Sequence, residues 1–149
     1  MSAVGIIFSS INEKSVYELT KQRTMASVPF GCRYRLIDFA LSNMVNSDIT
    51  KIGIITHNNY QSLLDHIGTG KDWDLARRSG GIKILPPFIT SYTSPEANKL
   101  YTTRLEALMG VMSFIRRCNE DHIVMSDCDA ICNIDISEAL TQHEATEAD

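Results

Sequence analysis

Apolar runs and helically spaced apolar positions alternate along the whole chain. Residues 4–8 (Val-Gly-Ile-Ile-Phe) carry no polar side chain, so a strand made of them has to be buried on both faces, as in a parallel sheet. Residues 51–56, 82–85 and 122–125 repeat that β-branched character and predict three more strands. Pro86 and Pro87 end the third, because proline offers no N–H to a ladder. Between the runs the spacing changes to three and four. Leu36, Ile37, Ala40, Leu41, Met44 and Val45 give one helix an apolar face, and Arg33, Arg35, Asp38, Ser42, Asn43 and Asn46 take the polar positions. Leu63, Leu64 and Ile67 mark a second helix, with Asn58 or Asn59 as its N-cap and Gly68 and Gly70 as its stop. Leu105, Leu108, Met109, Met112 and Ile115 predict a third over residues 103–117, its last turn holding Arg116 and Arg117. A fourth begins near Asp135 or Ser137.

Strand and helix thus alternate four times, which predicts an α/β, Rossmann-like fold with a mostly parallel sheet, right-handed crossovers and helices on both faces. The polar stretch 9–26 has no sustained period and reads as a functional loop with a turn or short helix near residues 16–21. Residues 92–100 read as a loop. Ligands of such sheets bind outside the carboxyl ends of the strands, so the loop after Phe8 and the Asp127-Cys128-Asp129 turn after Met125 are the places for chemistry.

Composition narrows the function. The 149 residues are 44% hydrophobic, enough for one globular core. A formal charge of -4 gives no basic footprint for nucleic acid. No apolar run approaches the ~20 residues of a membrane helix, and no leader pattern is present, so the expectation is a soluble cytoplasmic protein with no membrane or nucleic-acid partner. Cys32, Cys118, Cys128 and Cys132 read as reduced, buried thiols; Cys128 and Cys132 lack a second pair for zinc. His57 and His66 have no triad partners, and Asp38 reads as a helix-face carboxylate paired with Arg35 or Ser42. Trp73, Arg77 and Arg78 suit a subunit contact or a solvated face.

Residues 23–56 carry an arginine, Val-Pro-Phe-Gly, Tyr-Arg, Ile-Asp-Phe and Leu-Ser-Asn, followed by Asn46-Ser47. This series resembles bacterial glucose-1-phosphate adenylyltransferase (ADP-glucose pyrophosphorylase), and in detail its D-type, regulatory-like glycogen-biosynthesis subunit. The likeness spans roughly residues 3–140. It implies a nucleotidyltransferase domain whose remainder, and a β-helix domain, lie beyond residue 149; the chain is expected to be an N-terminal piece. It also implies an assembly that converts ATP and glucose 1-phosphate to ADP-glucose and pyrophosphate for glycogen synthesis, using Mg²⁺. A catalytic subunit in a hetero-oligomer is the implied partner, and ATP, glucose 1-phosphate or an effector the implied small molecules.

Nucleotidyl transfer needs backbone N–H groups around phosphates, a cation on the pyrophosphate and a carboxylate for the metal. Where the catalytic relatives have a glycine-rich Gly-Gly-x-Gly-x-Arg loop, residues 9–14 read Ser-Ser-Ile-Asn-Glu-Lys, with no glycine to bring the backbone close. Arg23 matches the family's arginine, but Met25 stands in the place of its phosphate-contacting lysine and Ala26 in that of its proline. Pro86-Pro87-Phe88 replace glutamines near the base, and residues 103–107 (Thr-Arg-Leu-Glu-Ala) replace Gly-Thr-Ala-Asp-Ala. Asp129 matches the Mg²⁺-binding aspartate, with Cys128 in place of glycine and Asp127 before it. Those two carboxylates suit Mg²⁺ or Mn²⁺, and equally the capping of a turn. Arg23, Gly31 and Arg33 are phosphate- or substrate-binding candidates, with solvated arginines and a turn glycine as the plainer account. The resemblance therefore implies a subunit impaired in catalysis. The rival readings are an active sugar-phosphate nucleotidyltransferase relying on Arg23 and Asp129, a metal-dependent nucleotide-sugar glycosyltransferase using Asp127 and Asp129, and a ligand-free scaffold.

Overall fold

A computed structural model describes residues 2–9, 16–76, 80–87 and 101–146. The chain opens with strand β1 (Ala3–Phe8), helix α1 (Tyr17–Thr20) and a 3-10 turn (Met25–Ser27). A two-rung hairpin follows, β2 (Pro29–Phe30) with β3 (Tyr34–Arg35), and leads straight into α2 (Leu36–Asn46). Next come β4 (Lys51–Ile55), α3 (Gln61–Ile67), a 3-10 turn (Lys71–Trp73) and β5 (Gly81–Leu85). The last elements are α4 (Arg104–Gly110), α5 (Met112–Ile115), β6 (His122–Asp127) and α6 (Ile136–Thr146). Arg77, Arg78, Phe88, residues 92–100 and the loop residues 10–15 lie outside the described residues.

The main sheet has the order β5-β4-β1-β6, with every neighbouring pair parallel. β1 is interior, as its unbroken apolar run requires, and Val4, Ile6 and Ile7 are fully buried. On one face Ile7, Ile52 and Ile54 pack against Ile37, Leu41 and Met44 of α2 and Leu63 of α3. On the other, Val4, Ile6, Phe8 and Ile55 pack against Ala107, Val111 and Phe114. Each Val, Ile, Leu, Met or Phe among them contributes about 1.5–3 kcal/mol relative to exposure. Gly5 and Gly53 sit where these helices come closest. A Cβ on Gly53 would lie 2.9 Å from Phe114 Cε1 and 2.8 Å from Leu85 Cδ1.

Three details depart from the sequence reading. The predicted helix over residues 103–117 is broken at Val111 (φ -107, ψ 11) into α4 and α5, and its buried stripe is Ala107, Val111 and Phe114, leaving Leu105 and Met109 exposed. Neither Asn58 nor Asn59 caps α3. The cap position is Tyr60, while Asn59 adopts a left-handed φ of 54 and turns its amide to the Lys21 carbonyl at 3.4 Å. Of the four cysteines, all free thiols, only Cys128 is buried; Cys32 and Cys132 are exposed. No helix among the described residues is long and apolar enough to cross a membrane.

Candidate functional site

The sheet reverses direction of growth at β1: the chain runs outward through β4 and β5, then returns to the far side as β6. In an open parallel sheet the crevice at such a reversal is the ligand site. Register sets Phe8 beside Asp127 there. The Cys128 N–H donates to the Phe8 carbonyl at 3.1 Å, and the buried Cys128 thiol donates to the Ser9 carbonyl at 3.1 Å. The same carbonyl accepts the Ala26 N–H at 3.0 Å. Ser9, the residue that follows β1, is thus fixed between the turn after β6 and the 3-10 turn at Met25. The Ser9 and Thr24 hydroxyls are buried here with no hydrogen-bond partner among the described residues.

Asp127 faces Arg104, the first residue of α4. The helix start is set by a capping box: Thr103 Oγ1 accepts the Glu106 N–H at 3.2 Å, and Glu106 accepts the N–H groups of Thr102 (2.8 Å) and Thr103 (3.2 Å). The Thr102 hydroxyl, also donating to Glu106, is the main cause of a Glu106 carboxyl held below the usual carboxylate range. From this anchored position the Arg104 guanidinium forks onto Asp127, Nε to Oδ1 at 2.9 Å and Nη2 to Oδ2 at 2.5 Å. Those bonds, with a further contribution from the charge of Asp129, raise the Arg104 pKa above its ordinary value. Beside the pair lies a cleft of about 330 Å³, lined among the described residues by Phe8, Leu105, Leu108, Met125 and Ser126. Asp129 is exposed at the turn that follows.

The other candidates lie apart. Arg23 lines a recess of about 440 Å³ with Glu18, Lys21 and Gln22. Gly31 (φ 60) and Cys32 (φ 72) form the left-handed tip of the β2–β3 hairpin. Arg33 lies 5.9 Å over the Tyr34 ring and lines a third recess, about 410 Å³, with Asp38, Ser42, His66 and Trp73. Arg23, Arg33 and Asp127 therefore line three different recesses. Met25 is half-buried and packs its side chain against the core cluster that includes α2. Asp38 pairs with the backbone N–H of Arg35 (2.9 Å) and with His66, and the Arg35 side chain goes instead to Ser62.

Sequence reasoning missed the part played by Asn43 and Ser47. Asn43 is buried, and its amide donates to the Cys132 carbonyl at 3.0 Å while its oxygen accepts the Ile134 N–H at 3.4 Å. Ser47 Oγ accepts the Ile136 N–H at 2.9 Å. The end of α2 thereby holds the segment that leaves Asp129. The signal was there in the Leu-Ser-Asn series, where a polar residue falls one position from the apolar stripe.

Residues 5–149 match the family described as nucleotidyl transferase. The glycogen biosynthesis protein GlgD of Bacillus subtilis (strain 168) is 34% identical over 148 residues, which are 98% of this chain and 41% of that protein. A glucose-1-phosphate adenylyltransferase of Bacillus cytotoxicus is 40% identical over 99% of this chain and 38% of that protein. The chain spans about two fifths of the length of these curated relatives. A crystal structure described as a glucose-1-phosphate thymidylyltransferase of Bacillus anthracis matches the fold with a TM-score of 0.71 at 21% identity, covering 97% of this chain and 51% of that one.

Proposed function

The chain belongs to the nucleotidyl transferase family, and from that premise we propose that it is part of a glucose-1-phosphate adenylyltransferase-like subunit of glycogen biosynthesis, regulatory rather than catalytic. The reaction of the whole assembly is transfer of an adenylyl group from ATP to glucose 1-phosphate, giving ADP-glucose and pyrophosphate. Its partner in this reading is a catalytic adenylyltransferase subunit. The likenesses to GlgD and to glucose-1-phosphate adenylyltransferases support the substrate class.

The observation that carries the regulatory reading is Met25. Charge developing on a departing pyrophosphate is stabilised by fixed cations aimed at it. Here Met25, next to the Ala26 N–H that bonds the residue after β1, is a half-buried thioether packed against the core. Arg23 lines another recess, among Glu18, Lys21 and Gln22. A fold kept while its phosphate-handling groups are lost suits assembly better than turnover, since function resides in the site and not in the architecture.

The test is ADP-glucose formation by the full-length protein, alone and mixed with a catalytic adenylyltransferase subunit, at saturating ATP, glucose 1-phosphate and Mg²⁺. The expected result is no turnover alone and an altered rate or substrate affinity in the mixture. Robust turnover by the protein alone overturns the regulatory assignment and leaves the active-transferase reading in its place.

A further inference from the structure

The resemblance implies Mg²⁺ at Asp129, with Asp127 two positions before it as the second carboxylate of the turn, and the donor set of this chain does not fit it. Mg²⁺ takes a near-octahedral shell of oxygens at ~2.0–2.1 Å and is reluctant to give up water, so its protein sites depend on carboxylate oxygens free to face it. Both oxygens of Asp127 accept from Arg104. An ion placed against Asp127 would meet a guanidinium, which carries its charge at every accessible pH. An ion on the remaining Asp127 lone pairs would lie against that charge, and among the described residues no three His, Cys, Asp or Glu side chains are grouped as a metal ion needs.

We propose that Arg104 is the resident cation of this site and excludes divalent metal from it. Two features make the guanidinium a durable occupant. The fork is bidentate, which is the strong geometry for a charged pair and lifts it above the usual weak surface ion pair. The side chain also projects from the first residue of α4, whose backbone is pinned by the Thr103–Glu106 box, so the base of the guanidinium's stem is fixed opposite Asp127. Arg104 lies in the segment that departs from the family's Gly-Thr-Ala-Asp-Ala. This inference concerns which cation the site holds, and it stands or falls independently of whether the protein is regulatory.

Mn²⁺ is the probe, titrated into the full-length protein and followed by the electron paramagnetic resonance of the free ion. Arg104→Ala, with its fold checked by circular dichroism, is expected to tighten Mn²⁺ binding about tenfold over wild type by releasing Asp127. Adding Asp127→Asn to that variant is expected to remove the gain. Should Arg104→Ala fail to fold, Arg104→Lys, which keeps the charge but not the fork, takes its place with an expected gain of about threefold. Wild-type protein that binds Mn²⁺ as tightly as the variant, or a folded Arg104 variant with no gain, overturns the proposal.

Discussion

Asp38 of α2 and His66 of α3 meet at 2.6 Å, and the other Asp38 oxygen accepts the Arg35 N–H at 2.9 Å. One carboxylate therefore satisfies the first turn of α2 and ties it to the neighbouring helix, at a site where Asp38 is only 8% exposed. Removing it leaves a backbone donor and a ring nitrogen without their partner. Asp38→Ala is expected to lower unfolding stability by about 1–3 kcal/mol, the range for a lost cap and an orphaned buried polar group. Urea unfolding followed by circular dichroism measures it; an unchanged midpoint would show that water replaces both contacts.

Lys51 on β4 and Glu120 ahead of β6 form an ion pair at 2.7 Å. The hydrogen bond from Lys51 holds the Glu120 carboxyl below its ordinary value, and the bond to Glu120 lifts the Lys51 pKa. The signs differ. In acid the unfolded chain takes up the Glu120 proton first, near its ordinary value of ~4.3, so this stability is present above that pH and is lost as pH falls through the lower folded value. In alkali the Lys51 contribution is whole below ~10.4 and is lost as pH rises through the raised folded value. Glu120→Gln is expected to flatten both limbs of a plot of Tm against pH while changing the shape between them little.

The strands and α2 were legible because their signals are local: an unbroken β-branched run for β1, a three-and-four spacing for α2. The interior place of β1 followed from its being apolar on both faces. The β2–β3 hairpin was not legible, since two residues per strand carry no period. The break at Val111 was hidden by Met112 and Ile115, which continue the apolar spacing of α4 whether or not the backbone does. The Arg104–Asp127 pair was not legible for a different reason. Arg104 and Asp127 stand 23 positions apart, and a sequence gives their charges without the distance that decides whether a carboxylate faces a metal or a guanidinium.

Gly53 offers a test of packing in which two effects oppose each other. Alanine there restricts the unfolded chain and gains about 0.4–1 kcal/mol. Its methyl would fall 2.8 Å from Leu85 Cδ1, 2.9 Å from Phe114 Cε1 and 3.1 Å from Ile6 Cδ1. Leu85 can rotate away, but the Phe114 ring is held in the cluster on that face. Overpacking at about 1–3 kcal/mol outweighs the entropic gain, so Gly53→Ala is expected to destabilise. A raised Tm would mean that α5 yields readily.

Met25→Lys tests the phosphate argument at the residue that carries it. The lysine would exchange a packed thioether for a long stem that brings its ammonium out beside the carboxyl end of β1. Some stability is lost, about 1 kcal/mol, because contacts with the core beneath α2 go. In return the region at the end of β1 gains a cation, and a charge-assisted contact to a phosphoryl oxygen is stronger than a neutral one. Calorimetric titration with inorganic triphosphate is expected to show affinity raised about tenfold over wild type, equivalent to ~1.4 kcal/mol. An affinity that does not move would place the phosphates elsewhere than at the end of β1 and would remove Met25 as the ground for calling the subunit regulatory.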